Sequence, residues 1–167
     1  MANYRSLDFQ IIERASEKYE NLKEILVQME IDEKIESFTV EIYKHFAPIQ
    51  ITQCVQELIA KLDHVRVKNK GSIDGMVVPY IIFLLIKHFT TLELPNNFAE
   101  QLKAIEYMTN TGVMFQIFMA FDEDEIGKVQ KEISNVVERF NSNMDDESME
   151  EFKEQLRNSL VDKSLLE

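Results

Sequence analysis

Met76-Val-Val-Pro-Tyr-Ile-Ile-Phe-Leu-Leu-Ile-Lys-His-Phe89 decides the fold of this chain. The run carries no charge before Lys87, so a helix built from it is apolar almost all the way round and has to be covered. A membrane-spanning helix needs roughly 20 apolar residues, more than this segment offers. It therefore reads as a buried helix at about residues 76–90, opened by Asp74 or Gly75, with Pro79 tolerable in its first turn. The expected architecture is mainly α, a single-domain helical bundle around this central apolar helix.

Downstream of it, Leu94-Pro95-Asn96-Asn97 breaks the chain and supplies a cap for a helix with Phe98, Leu102, Ile105 and Met108 on one face. Asn110-Thr111-Gly112 stops that helix. Val113-Met-Phe-Gln-Ile-Phe-Met-Ala-Phe121 is short and almost wholly apolar, which predicts a second buried helix. Asp122 caps the next one, whose first turn holds Glu123, Asp124 and Glu125 where they oppose the helix dipole favourably. Its apolar stripe is Ile126, Val129, Ile133, Val136, Val137 and Phe140.

Upstream, Ser37-Phe-Thr-Val-Glu-Ile-Tyr-Lys44 alternates apolar and polar side chains and is rich in β-branched and aromatic types, so it reads as a short strand. Pro48 prevents helix continuity through Phe46 and Ala47, and Thr52 is placed to cap a helix carrying Val55, Leu58, Ile59 and Leu62. The basic stretch His64-Val-Arg-Val-Lys-Asn-Lys-Gly71 suits the C-terminus of that helix, but Val65 and Val67 also suit a second strand. A lone strand leaves backbone groups unpaired. Either 37–44 pairs with 64–68 as a two-stranded hairpin, or another chain completes the edge.

Between Leu7 and Ile31, Leu7, Ile11, Ala15, Tyr19, Leu22, Leu26 and Met29 recur at steps of three and four, the spacing of one helical stripe, with Ser16 able to cap a second helix. The chain thus divides into an N-terminal amphipathic helix or helices at 1–35, a core helical domain with a short β element at 36–140, and a linker plus C-terminal amphipathic helix at 141–167. In the last segment Met149, Phe152, Leu156 and Leu160 fall at helical steps behind the polar linker Asn141–Asp146. That helix docks on its own core or binds a partner or second copy.

The 167 residues suit one domain that buries a core without staples. Thirty acidic against eighteen basic side chains leave a net charge of −12, which repels nucleic acid and anionic membranes alike. Cys54 is the only cysteine, so no internal disulfide forms, and a reducing, cytoplasmic setting is expected. The N-terminus shows neither a basic-then-apolar signal nor a glycine for myristoylation.

Chemistry-bearing motifs are scarce. His45, His64 and His88 are far apart, and none belongs to a helical metal pair. A calcium loop opening at Asp122 would place Gly127 correctly but Ile133 where a bidentate glutamate belongs, so helix capping explains the acidic cluster better. Cys54 sits beside Val55 and Leu58 as a packing residue, Gly71 and Gly75 are too sparse for a phosphate loop, and Arg66, Lys68 and Lys70 read as a solvated helix end. No catalytic residue, cofactor or metal is expected, and the chain is not read as an enzyme.

One order of elements resembles a known group. Thr39-Val-Glu-Ile-Tyr-Lys44, Pro48, Cys54-Val-Gln-Glu-Leu-Ile59, Ile86-Lys-His-Phe-Thr90, Leu94-Pro95, Phe98–Ile105, Asn110-Thr-Gly-Val-Met-Phe115 and Asp124–Val129 together resemble small helical proteins of bacteriophage structural gene clusters, in character most similar to tail assembly chaperones. The resemblance covers about residues 36–140 and carries no diagnostic motif. It implies a non-catalytic role in host-cell cytoplasm, coating a tape-measure protein and recruiting tail-tube subunits. Such work needs exposed apolar helical surface. Met108, Met114, Phe115, Phe118 and Met119, with Met149, Phe152 and Leu156 of the tail, are the candidate partner contacts; burial in the monomer core is the competing account of each. The alternative is an acidic helical regulatory or anti-defence protein of a mobile element that binds a host protein.

Overall fold

The computed structural model describes residues 4–69 and 76–140. Its elements run in the order α1 (Phe9–Ser16), a 3-10 turn (Glu17–Glu20), β1 (Leu22–Ile31), β2 (Lys34–Tyr43), α2 (Pro48–Asn69), α3 (Val77–Phe89), α4 (Phe98–Asn110), α5 (Val113–Ala120) and α6 (Glu123–Phe140). The described chain is thus mainly helical with one antiparallel hairpin. Among the described residues, no helix is long and apolar enough to cross a membrane. Residues 70–75 and the expected C-terminal helix, with Met149, Phe152, Leu156 and Leu160, lie outside the described residues.

The apolar run folds as α3, and eight of its thirteen residues are buried. Lys87 and His88 occupy its last turn, where cations face unpaired carbonyls. It contacts α2, α4 and α5, while α6 lies against α2 and α5 against β1. The capping signals act as read at α4 and α6. Asn97 Oδ1 accepts from the N–H of Ala99 and Glu100, and Asp122 Oδ1 from that of Asp124. Between α4 and α5, Gly112 adopts φ +73°, a conformation that costs a side-chain-bearing residue about 1 kcal/mol or more.

The start of α2 differs from expectation. It opens at Pro48, whose missing N–H is no loss in a first turn, and Thr52 lies inside the helix with its hydroxyl donating to the Pro48 carbonyl. At its other end the helix runs through to Asn69, so residues 64–68 form no strand and do not pair with 37–44. The hairpin exists, but its other strand is β1. All ten residues of β1 pair with all ten of β2, from Leu22↔Tyr43 to Ile31↔Lys34.

The helix expected through Leu22–Ile31 is therefore a strand. Leu22, Leu26 and Met29 suit helical spacing, but Val27-Gln-Met-Glu-Ile31 alternates, and the structure turns Ile25, Val27 and Met29 of the alternating set to the core while Ile31, beside the loop, is exposed. Val27 is buried and Ile25 and Met29 pack on the core, whereas Leu26 is 71% exposed. On β2 the matching set is Phe38, Val40 and Ile42. A long-range partner settled an ambiguity that local periodicity left open. Asp32 and Glu33 form the connecting loop, both with positive φ (51° and 62°), the left-handed pair that matches strand twist.

Phe46 anchors the hairpin to the helices. Its ring stacks on Phe89 at 3.8 Å between centroids and meets Phe121 edge-on at 5.4 Å. Burying such a side chain and pairing its ring contributes on the order of 2–3 kcal/mol.

Candidate functional site

Two carboxylates, Glu57 half-buried and Glu125 buried, draw polar side chains together, and their geometry decides whether the chain holds reactive groups. Glu57 on α2 accepts from Lys87 Nζ at 2.6 Å and Gln101 Nε2 at 2.9 Å on one oxygen, and from His88 Nε2 at 2.7 Å on the other. Gln101, completely buried, completes the set by donating also to the Pro95 carbonyl and accepting from the Tyr80 hydroxyl at 2.7 Å. Burial by itself would raise the Glu57 pKa, but the donors from His88, Lys87 and Gln101 outweigh it and bring it down to about 2. Burial pushes Tyr80 up, with the Glu57 charge adding to it, and raises Cys54 to about 12. This is a carboxylate held ionised and saturated with donors, beside a thiol held protonated. It fastens α2 to α3 and α4.

Glu125 is the second case. It is 6% exposed, accepts from the Phe46 N–H at 2.8 Å and from Lys128 Nζ at 2.7 Å, and lies 3.6 Å from His45 Nδ1. Burial opposes its charge, yet Lys128 and the Phe46 amide lower its pKa. In the sequence Glu125 reads only as a first-turn residue opposing the helix dipole. Its additional role is to satisfy a buried backbone amide far away in the chain, which no local pattern signals. Among the described residues, no three His, Cys, Asp or Glu side chains converge as a metal-binding group.

The expected contact residues are distributed unevenly. Met108, Met114 and Phe118 are buried in the core, Met119 is half-buried, and Phe115 is exposed. A partner would reach the first three only by opening the helices. Exposed apolar side chains concentrate in an earlier stretch of the chain. Tyr4, Leu7, Phe9, Ile12, Leu26, Ile31 and Ile35 are seven of the eleven large exposed hydrophobic side chains among the described residues, and all precede β2 or lie at its start.

Two elements present five of them, and Tyr4 and Leu7 lie in the segment just before α1. Helix α1, capped by the Asp8 carboxylate on the Ile11 N–H, buries none of its residues, so its apolar stripe faces outward. In the hairpin, Leu26 and Ile35 lie on the face turned away from the core. The sequence signal for this site is the alternation in Val27–Ile31, which helical spacing through Leu22, Leu26 and Met29 masks.

The hairpin's edges complete the geometry. A two-residue loop makes Ile31↔Lys34, Met29↔Glu36, Val27↔Phe38 and Ile25↔Val40 the hydrogen-bonded pairs, so Gln28, Ser37 and Thr39 turn their backbone groups outward. At Gln28 the side-chain amide of Gln116, from α5, takes the place of a neighbouring strand. Its oxygen accepts from the Gln28 N–H and its nitrogen donates to the Gln28 carbonyl, both at 2.8 Å. At the other edge, the Thr91 N–H donates to the Glu41 carbonyl and Thr90 bridges Ile42.

No solved structure matches the chain. A protein of Bacillus subtilis (strain 168), the SPbeta prophage-derived uncharacterized protein YomO, is 20% identical over 142 residues, covering 84% of this chain and 80% of that protein. The family model described as YomO matches residues 9–164, from the start of α1 into the C-terminal segment. The relative is prophage-derived by its printed name, and the family match spans most of the sequence, so this chain belongs to the YomO family.

Proposed function

We propose that the chain is a non-catalytic interaction protein of a phage-derived element, working through α1 and the hairpin. The observation that carries this is the gathering of exposed apolar side chains on those two elements, while the ionisable clusters at Glu57 and Glu125 are saturated by partners of their own. Exposed apolar patches on a folded chain mark surfaces that another macromolecule covers. Of the partners open to such a protein, phage tail components remain the assembly reading, in which the chain acts as a chaperone for a tape-measure protein. The acidic surface favours a second reading, a regulator that occupies a basic host protein.

Co-expression with the tape-measure and tail-tube proteins of the same element tests the first. Recovery of a stoichiometric complex, lost on changing Phe9 and Ile12 to serine or Leu26 and Ile35 to serine, supports it. A monodisperse chain that captures neither protein overturns the assembly role. Binding to a host protein that collapses with added salt would place the chain in the second class.

A further inference from the structure

The hairpin edges are closed at different places. Gln116 occupies the middle of β1 at Gln28, whereas Thr90 and Thr91 meet β2 only near its end, at Glu41 and Ile42. Between the loop and Glu41, the outward N–H and C=O groups of Ile35, Ser37 and Thr39 meet no partner among the described residues. No proline or bulge blunts this stretch, and its pairing with β1 is unbroken. Phe38 and Val40, half-buried on the core face, continue the apolar layer up to this edge, and Ile35 is 74% exposed on the other face. Free backbone groups flanked by apolar side chains form a template for strand addition.

Charge identifies the occupant. Residues 22–43 hold six acidic side chains, Glu24, Glu30, Asp32, Glu33, Glu36 and Glu41, against Lys23 and Lys34. A second copy of β2 paired about Ser37 would make the two Glu36 carboxylates diagonal neighbours and bring together two chains of net charge −12. The chain's own segment 141–167 carries eight acidic and three basic residues, so it too is repelled. We propose that the Ile35–Thr39 edge of β2 takes an extended segment of a partner protein, with lysine or arginine interleaved among β-branched residues, as a third strand. The proposal rests on the interaction reading above and names the chemistry of its partner.

The test uses the full chain, isotopically labelled, with a blocked peptide of alternating lysine and valine, the same peptide with glutamate for lysine, and the lysine peptide N-methylated at every second amide. The lysine peptide should shift and protect the Ile35, Ser37 and Thr39 amides. The glutamate peptide should not bind, and N-methylation should weaken binding by about tenfold or more, since backbone hydrogen bonds supply the affinity. On the protein side, Thr39→Pro removes an outward N–H without touching a β1–β2 bond, so it should keep the native circular dichroism and lose binding by a similar factor.

Absence of lysine-peptide binding overturns the proposal, and so does binding that neither N-methylation nor Thr39→Pro weakens. A dimer that Thr39→Pro dissociates assigns the edge to a second copy and equally overturns it. If wild type and Thr39→Pro capture the same phage protein equally well, the edge assignment fails while the interaction reading stands. If neither captures any co-expressed phage or host protein, the interaction reading itself falls and takes the edge assignment with it.

Discussion

Exchanging the Glu57 carboxylate for an amide, Glu57→Gln, removes a single charge from the junction of α2, α3 and α4. In the wild type that charge sits 2.6 Å from Lys87 Nζ and 2.7 Å from His88 Nε2, with the Glu57 and Lys87 side chains 17% and 14% exposed. The amide leaves the Lys87 ammonium without its counter-charge in a place that water reaches poorly. The lowering of the Glu57 pKa from 4.5 to about 2 sets the scale, on the order of 3 kcal/mol at neutral pH. Because the folded-state pKa lies below the unfolded one, this stabilisation is fully present above about pH 4.5 and is lost as the pH falls through about 2. Urea unfolding of both proteins, followed by circular dichroism from neutral pH down to about pH 3.5, should show a gap of about 3 kcal/mol that narrows by about 1 kcal/mol at the acid end. A gap under about 1 kcal/mol at neutral pH, or one that does not change with pH, would refute the assignment of Glu57 as an ionised clamp.

Three further outcomes follow from other contacts. Glu125→Ala leaves the Phe46 N–H buried without an acceptor and should cost about 2–3 kcal/mol, measured by the same unfolding titration. Gln116→Ala removes both bonds to the Gln28 backbone; a loss of about 1–2 kcal/mol is expected, with faster hydrogen exchange at the Gln28 amide and little change at Val27. Glu33→Gly relieves a side-chain-bearing residue at φ 62° and should raise the thermal midpoint through a gain of about 0.5–1 kcal/mol; a lower midpoint would argue against the left-handed loop.

The helical part of the fold is legible in the sequence where one face is apolar and its ends are marked by local chemistry. Asn97, Gly112 and Asp122 act within a few residues of themselves, so reading them needs no knowledge of the rest of the chain. Leu22–Ile31 is different. Its side chains satisfy helical and strand spacing together, and the decision comes from β2 and from Asp32-Glu33, a loop without the glycine that usually marks a tight hairpin. Val65 and Val67 mislead in the opposite direction, since the helix begun at Pro48 runs on through them. The polar clusters were invisible for a related reason. Glu57 meets Lys87, His88 and Gln101 across 30, 31 and 44 residues of chain, and each of these side chains looks unremarkable in its own neighbourhood.

Cys54 gives the molecule a built-in reporter. It is 3% exposed, and its thiol is held protonated by burial and by the nearby Glu57 charge, so neither access nor ionisation favours attack on an electrophile while α2 is seated. Alkylation at mildly alkaline pH therefore proceeds only through moments when α2 lifts from α3. With no other cysteine in the chain, the labelling rate clocks that opening without any engineered probe. A partner that binds the hairpin alone should leave the clock running at its own pace, whereas one that prises the helices apart to reach Met114 or Phe118 should speed it up.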